Sequence, residues 1–249
     1  MLISADVKGL EVVCAAFLSR DSVLIDELHH GVDIHGANQK AFNFGEDKEG
    51  RLVAKRFKFK MIYGGTDGGF AKDPDFRFLK WNKRKWGNAI EEYYNKYRGI
   101  RAWHKELIDQ VVYTGRYDSI SGRFYDYSEL LTEPDWFYIP KIKNYPVQGL
   151  GADVVQIARI SLFKRMKAHP EFGKLVNTIH DSIIIDTPDD MCYNIISLVN
   201  EVFRDLPSNL SRLWGVEWDI PINVEFKTLD GKEIDINEQH HRNSDLRKP

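Results

Sequence analysis

The sequence predicts an α/β fold, with short apolar strands near both ends of the chain and a charged, mostly helical stretch inserted between them. Three observations carry this. Residues 1 to 5 are a short apolar run that ends at Asp6 and leads at once into a helical pattern. LVNTIHDSIIIDTP sets apolar residues on both sides of a polar centre, as two strands meeting at His180-Asp181-Ser182 would. The stretch from 76 to 114 is highly charged and helical in pattern. With 249 residues, 43% hydrophobic and 12% aromatic, the chain can bury one sizeable core or two small ones, which sets disorder aside.

Taken in order, GLEVVCAAFLSRD has the length and pattern of a helix, so Asp6 falls where a strand leaves a sheet. DIHGANQKAFNF reads as a short helix, FGEDKEG as a turn-rich connection, and a long helix starts near Gly50 and stops at the breaker pair Gly64-Gly65. The helical stretch 76 to 114 breaks near Gly99, and YDSISGRFYDY alternates around Ser-Gly like a hairpin. After Pro146 an amphipathic helix is expected through Val154, Val155, Ile157, Ile160 and Leu162. DDMCYNIISLVNEVFRDL gives another helix, IPINVEFKTL a late strand, and EQHHRNSDLRKP a loose tail.

The formal charge of -2 hides an asymmetry: residues 51 to 101 hold fourteen Lys and Arg against five Asp and Glu, interleaved with Phe, Tyr and Trp. Clustered cations among rings suit a phosphate backbone and exposed bases, and a solvated Lys-rich helix face fits the charge alone equally well. MLISADVKGLE reaches an acidic residue at position 6, and no apolar run approaches the roughly 20 residues that span a bilayer, so a cytoplasmic protein with no membrane partner is expected. Cys14 and Cys192 match no metal-ligand spacing and read as buried small hydrophobes.

Along the long helix, Arg51, Lys55, Phe59 and Tyr63 recur every fourth residue and share one slowly drifting face. Two cations and two rings so placed can meet a triphosphate and a nucleoside, although by periodicity alone the stripe reads as an ordinary, partly buried helix. RLVAKRFKFKMIYGG resembles the signature of family A DNA polymerases, Arg, three residues, Lys, three residues, Phe or Tyr, three residues, Tyr-Gly, with Arg51, Lys55, Phe59, Tyr63 and Gly64 filling all five positions. DVKGLE at Asp6 to Glu11 resembles that family's first catalytic motif and IHDS at Ile179 to Ser182 its last. DIHGANQ and NYPVQGLGADVVQ resemble its connecting segments, closest to the phage members.

The resemblance implies a polymerase palm, an antiparallel sheet with helices, at 1–20 and 144–249, with helical fingers at 21–143. It implies that Asp6 and Asp181, with the carbonyl of Val7, hold two magnesium ions, hard cations that prefer oxygen ligands. His35, Arg51 and Lys55 would grip the incoming dNTP, Phe59 and Glu11 would crowd a ribose 2′ hydroxyl, and Tyr63 would stack near the template base. Asn144, Gln148 and His180 would touch primer-template DNA. The competing resemblance is to single-subunit phage-type RNA polymerases, whose last motif also commonly reads His-Asp-Ser; Glu11 and Phe59 point back to DNA. An inert polymerase-like DNA-binding subunit is the alternative from another class, and the four retained charged residues of the site argue against it.

The chain departs from the family pattern at Lys8, Val13 and Ser182, where Ser, Arg and Glu are usual. The family's thumb and exonuclease precede the first catalytic motif, which here begins at residue 6. The expectation is therefore a split polymerase whose partner chain supplies the thumb and the remaining palm. The strand carrying Asp6 is expected to have little sheet of its own to pair with.

Overall fold

The structure, a computed structural model, describes residues 1–234, so the expected loose tail lies outside the described residues. In chain order the elements are β1 (Leu2–Val7), α1 (Leu10–Ser19), α2 (Ser22–His29), α3 (Ile34–Ala41), α4 (Lys48–Ile62), α5 (Asp67–Lys72), α6 (Lys83–Lys96) and α7 (Arg98–Thr114). There follow β2 (Arg116–Asp118), β3 (Phe124–Asp126), α8 (Asp135–Met166), β4 (Lys174–Ile179), β5 (Ser182–Asp186), α9 (Cys192–Trp214) and β6 (Val224–Thr228). They make two compact units, Met1–Leu10 with the chain from Gly151 onward, and Glu11–Leu150.

The first unit is built on an antiparallel sheet of order β4-β5-β1-β6. The strand that holds Asp6 is thus paired on both edges, with β5 and with β6, contrary to the expectation that it would lack partners. Its partners come from far along the chain, and sequence distance says nothing about that. Alternation sends Ile3, Ala5 and Val7 into the core and leaves Ser4 and Asp6 half-buried on the other face. α9 packs against β6. Its stripe of Ile195, Ile196, Val199, Val202, Phe203, Leu206 and Leu210 is buried.

Two helices run past their predicted limits. α8 begins at Asp135, with Pro140 and Pro146 inside it, instead of after Pro146. Ile142, Val147 and Leu150, all fully buried, continue its apolar stripe upstream, and that burial outweighs the hydrogen bond each proline removes. α9 continues through Pro207 to Trp214 and stops at Gly215, whose φ of 67° forms a left-handed cap. α2, absent from the sequence reading, is nucleated by Asp21: its Oδ1 accepts the Leu24 amide at 2.9 Å and its Oδ2 the Gly99 amide at 2.7 Å.

The second unit is helical apart from the predicted β2-β3 hairpin, and its core is aromatic. Phe57 on α4 lies 5.1 Å from Phe44 and 5.0 Å from Phe70, which stacks on Trp86 at 5.0 Å. At the end of α4 the carbonyl of Ile62 has no partner in its own helix and accepts the Nε2 proton of buried His104 at 2.9 Å. That bond fixes the tautomer, so Nδ1 accepts the Tyr94 hydroxyl at 3.1 Å. Burial, reinforced by Lys143, lowers the His104 pKa from 6.5 to about 3.

A histidine held neutral by the fold leaves stability intact above about pH 6.5 and lost below it, as the unfolded chain takes up a proton that the folded chain refuses. The free energy of unfolding is expected to fall by about 1.4 kcal/mol per pH unit through this group as pH drops from 6.5 toward 3. Urea titrations across pH should show a shallower acid slope for His104→Gln than for the native protein.

Candidate active site

In the first unit the β1-β5 register places Asp6 opposite Ser182, so Asp181 at the adjoining hairpin tip comes beside it. The backbone closes this arrangement, with the amide of Val7 donating to the carbonyl of Asp181 at 3.2 Å. His180, the exposed residue at the same tip, holds φ at 53°, a left-handed conformation a two-residue turn demands. Burial, and then the neighbouring charge of Asp6, push the Asp181 carboxyl above its ordinary pKa. Ser182 Oγ donates to Asp6 Oδ1 at 2.5 Å, and the ammonium of Lys227 lies 3.5 Å from Oδ2.

These donors fit a hard divalent cation. The two carboxylates lie side by side, and a cation would relieve the repulsion between them. No cluster of three or more His, Cys, Asp or Glu suited to a metal occurs among the described residues. Two carboxylates are as many as a small hard cation takes from protein when water completes its shell.

The second unit carries the cations of the helical stretch on α4. α4 buries Val53, Ala54, Phe57, Met61 and Ile62 and turns Arg51 and Lys55 to solvent, with Phe59 and Tyr63 half-buried below them. Its first turn is capped by Asp47, whose Oδ1 accepts the Gly50 amide at 2.8 Å. His35 on α3 lies 6.3 Å from the Phe59 ring. Burial lowers its pKa to about 4, helped by the charges of Lys58, Lys55 and Arg51 and opposed by Asp33. Lys58, buried on the same helix, is brought down to about 7 by burial, against the attraction of Glu27, Glu11 and Asp33.

Arg51 is already engaged, its Nη1 donating to Asp33 Oδ2 at 2.5 Å and its Nη2 to Oδ1 at 2.9 Å. The guanidinium holds the Asp33 carboxyl down at about 2. Tyr63 caps α4, accepts a hydrogen bond from Gln148 Nε2 at 2.5 Å and is held protonated by burial and by the charge of Glu11. With Gly64, Phe70 and the exposed Trp136 it lines a cavity of about 630 Å³. Asn144 lies one helical turn before Gln148 on α8, and its Oδ1 is buried without a hydrogen-bond partner among the described residues. Within each unit the expected residues therefore converge: Asp6, Val7, His180 and Asp181 in one, Glu11, His35, Arg51, Lys55, Phe59, Tyr63 and Gln148 in the other.

Four neighbours escaped the sequence reading. Asp33 stands in the quoted DIHGANQ segment, but its bond to a residue eighteen positions on has no local sign. Lys58 was legible as the cation three residues after Lys55, on the same helix face. Glu225 and Lys227 alternate in VEFKT, and period two puts them on one face of the sheet.

The sequence model of DNA polymerase family A matches residues 1–231. The chain is 28% identical over 237 residues to DNA polymerase I of Lactococcus lactis subsp. cremoris, covering 92% of this chain and 25% of that one. It is 26% identical over 238 residues to the thermostable DNA polymerase I of Thermus filiformis, covering 90% and 26%. The POL domain of Pol1 from M. smegmatis, in complex with DNA primer-template and dNTP, shares the fold with a TM-score of 0.74 at 21% identity, over 90% of this chain and 39% of that chain. The chain belongs to DNA polymerase family A. It spans about a quarter of the length of those polymerase I relatives.

Gly64 is required by its backbone, with φ at 81°, and by Lys143, whose Cδ and Nζ would stand 2.6 and 2.7 Å from a Cβ placed there. Gly64→Ala is expected to cost about 1–3 kcal/mol in a denaturant titration.

Proposed function

We propose that this chain is the catalytic core of a template-directed DNA polymerase that adds dNTPs to a primer 3′ hydroxyl. The observation that carries this is the convergence of Asp6 and Asp181 at neighbouring strand ends, in a chain that belongs to DNA polymerase family A. The sheet unit corresponds to the palm and the helical unit to the fingers. A pair of magnesium ions bound at Asp6, Asp181 and the Val7 carbonyl would activate the primer hydroxyl and neutralise the leaving pyrophosphate.

The chain's own residues supply the rest. Ser182 holds one oxygen of Asp6 and so orients the carboxylate. Lys55 and Arg51 meet phosphate oxygens, Arg51 exchanging Asp33 for the substrate, and neutral His35 donates a hydrogen bond without adding charge to a site already rich in it. Phe59 and Glu11 exclude the 2′ hydroxyl, and Phe59, lacking a ring hydroxyl, disfavours dideoxynucleotides. Tyr63 and Gln148, bonded to each other, keep the template side ordered, with Asn144 and His180 reaching primer-template DNA.

Magnesium-dependent extension of a labelled primer tests the reading, with the partner chain added where one co-purifies. Asp6→Ala and Asp181→Ala are each expected to lower the rate by about a thousandfold or more, the several kcal/mol that a bound metal contributes. Extension that survives both changes refutes the site. Equal use of rNTPs and dNTPs overturns the dNTP selectivity assigned to Glu11 and Phe59.

A separate readout needs no turnover. Binding of a non-hydrolysable dNTP favours the charged form of a nearby imidazole, so the His35 pKa is expected to rise from about 4 by at least about one pH unit in histidine-labelled NMR titrations. An unmoved His35 would remove it from the triphosphate site.

A further inference from the structure

Lys227 stands where no expectation placed a cation. On β6, Glu225 pairs directly with Asp6 and Lys227 with Ser4, so all four side chains share the half-buried face of the sheet that carries Asp6. The Lys227 ammonium bonds Glu225 Oε1 and lies 3.5 Å from Asp6 Oδ2, while the other oxygen of Asp6 is taken by Ser182. Both oxygens of the first carboxylate are therefore engaged before any metal arrives, one by a hydroxyl and one by a full positive charge.

We propose that Lys227 is the resident counter-ion of Asp6, held between Asp6 and Glu225, and that it sets the affinity of the site for divalent metal by competing for Asp6 Oδ2. Glu225 is the alternative seat: when a metal takes Oδ2, the ammonium stays with Glu225 and leaves Asp6. Two opposing dependences follow from charge. Removing the ammonium leaves Asp6 with its full negative charge for the metal and removes a repulsion a few ångströms away. Removing the charge of Glu225 leaves Lys227 with Asp6 as its one carboxylate, and the metal must then compete harder. Lys227 and Asp6 side chains are 32% and 27% exposed, so solvent screening keeps the effect modest.

The inference rests on the reading of Asp6 and Asp181 as the metal pair, and Mn²⁺ binding to the full chain without nucleotide, followed by electron paramagnetic resonance, separates the two. Lys227→Met is expected to tighten Mn²⁺ by about three- to tenfold, Glu225→Gln to weaken it by a similar factor, and Lys227→Arg, which keeps the charge, to stay near the native value. Unchanged or weaker binding by Lys227→Met, or equal tightening by Lys227→Arg, overturns the role of Lys227. If Asp6→Ala and Asp181→Ala bind Mn²⁺ as tightly as the native chain, or no variant binds it, the metal pair itself fails and this inference with it.

Discussion

The pairing of β1 along both edges is the constraint on which the carboxylate site depends. Asp6 takes its position from β5 on one side and β6 on the other, both from the last third of the sequence. Ile3, Ala5 and Val7 bury the opposite face, so the strand cannot slip by one residue without turning three apolar side chains to water and Asp6 into the core. The hairpin between β4 and β5 adds the second carboxylate, and the left-handed backbone at His180 is the local cost of a turn short enough to keep Asp181 beside Asp6.

Charge is distributed differently in the two units. Around Asp6 the fold gathers Asp181 and Glu225 and offsets them with Lys227. Around His35 it gathers Arg51, Lys55 and Lys58 and offsets them with Asp33, Glu11 and Glu27. The first centre keeps an excess of carboxylate, three against one ammonium, while the second sets three cations against three carboxylates; burial raises one carboxyl in the first and depresses one imidazole and one ammonium in the second.

The aromatic core of the helical unit gives the cationic face its rigidity. Phe57, on the buried side of α4, packs against Phe44, Phe70 and Trp86, and His104 ties down the last carbonyl of the helix. The exposed side of the same helix is then free to carry cations that would repel one another on a looser element.

Much of this was legible in the sequence. The strand ending near Asp6, the hairpin at His180-Asp181, the helix from about residue 50 to Gly64 and the late strand all follow from apolar periodicity and breakers, because those are local properties of ten or fifteen residues. The spacing of Arg51, Lys55, Phe59 and Tyr63 determined a shared helix face for the same reason. What only the tertiary structure decided is which distant elements meet: β1 between β5 and β6, Asp33 on Arg51, Gln148 on Tyr63, Lys227 beside Asp6. The continuation of α8 and α9 through three prolines was decided the same way, since proline's penalty is local and the burial that overrides it is not. The sequence by itself determined the parts and their chemistry. The pairings, and with them the charge each part feels, came from packing between residues whose separation along the chain leaves no periodic signal.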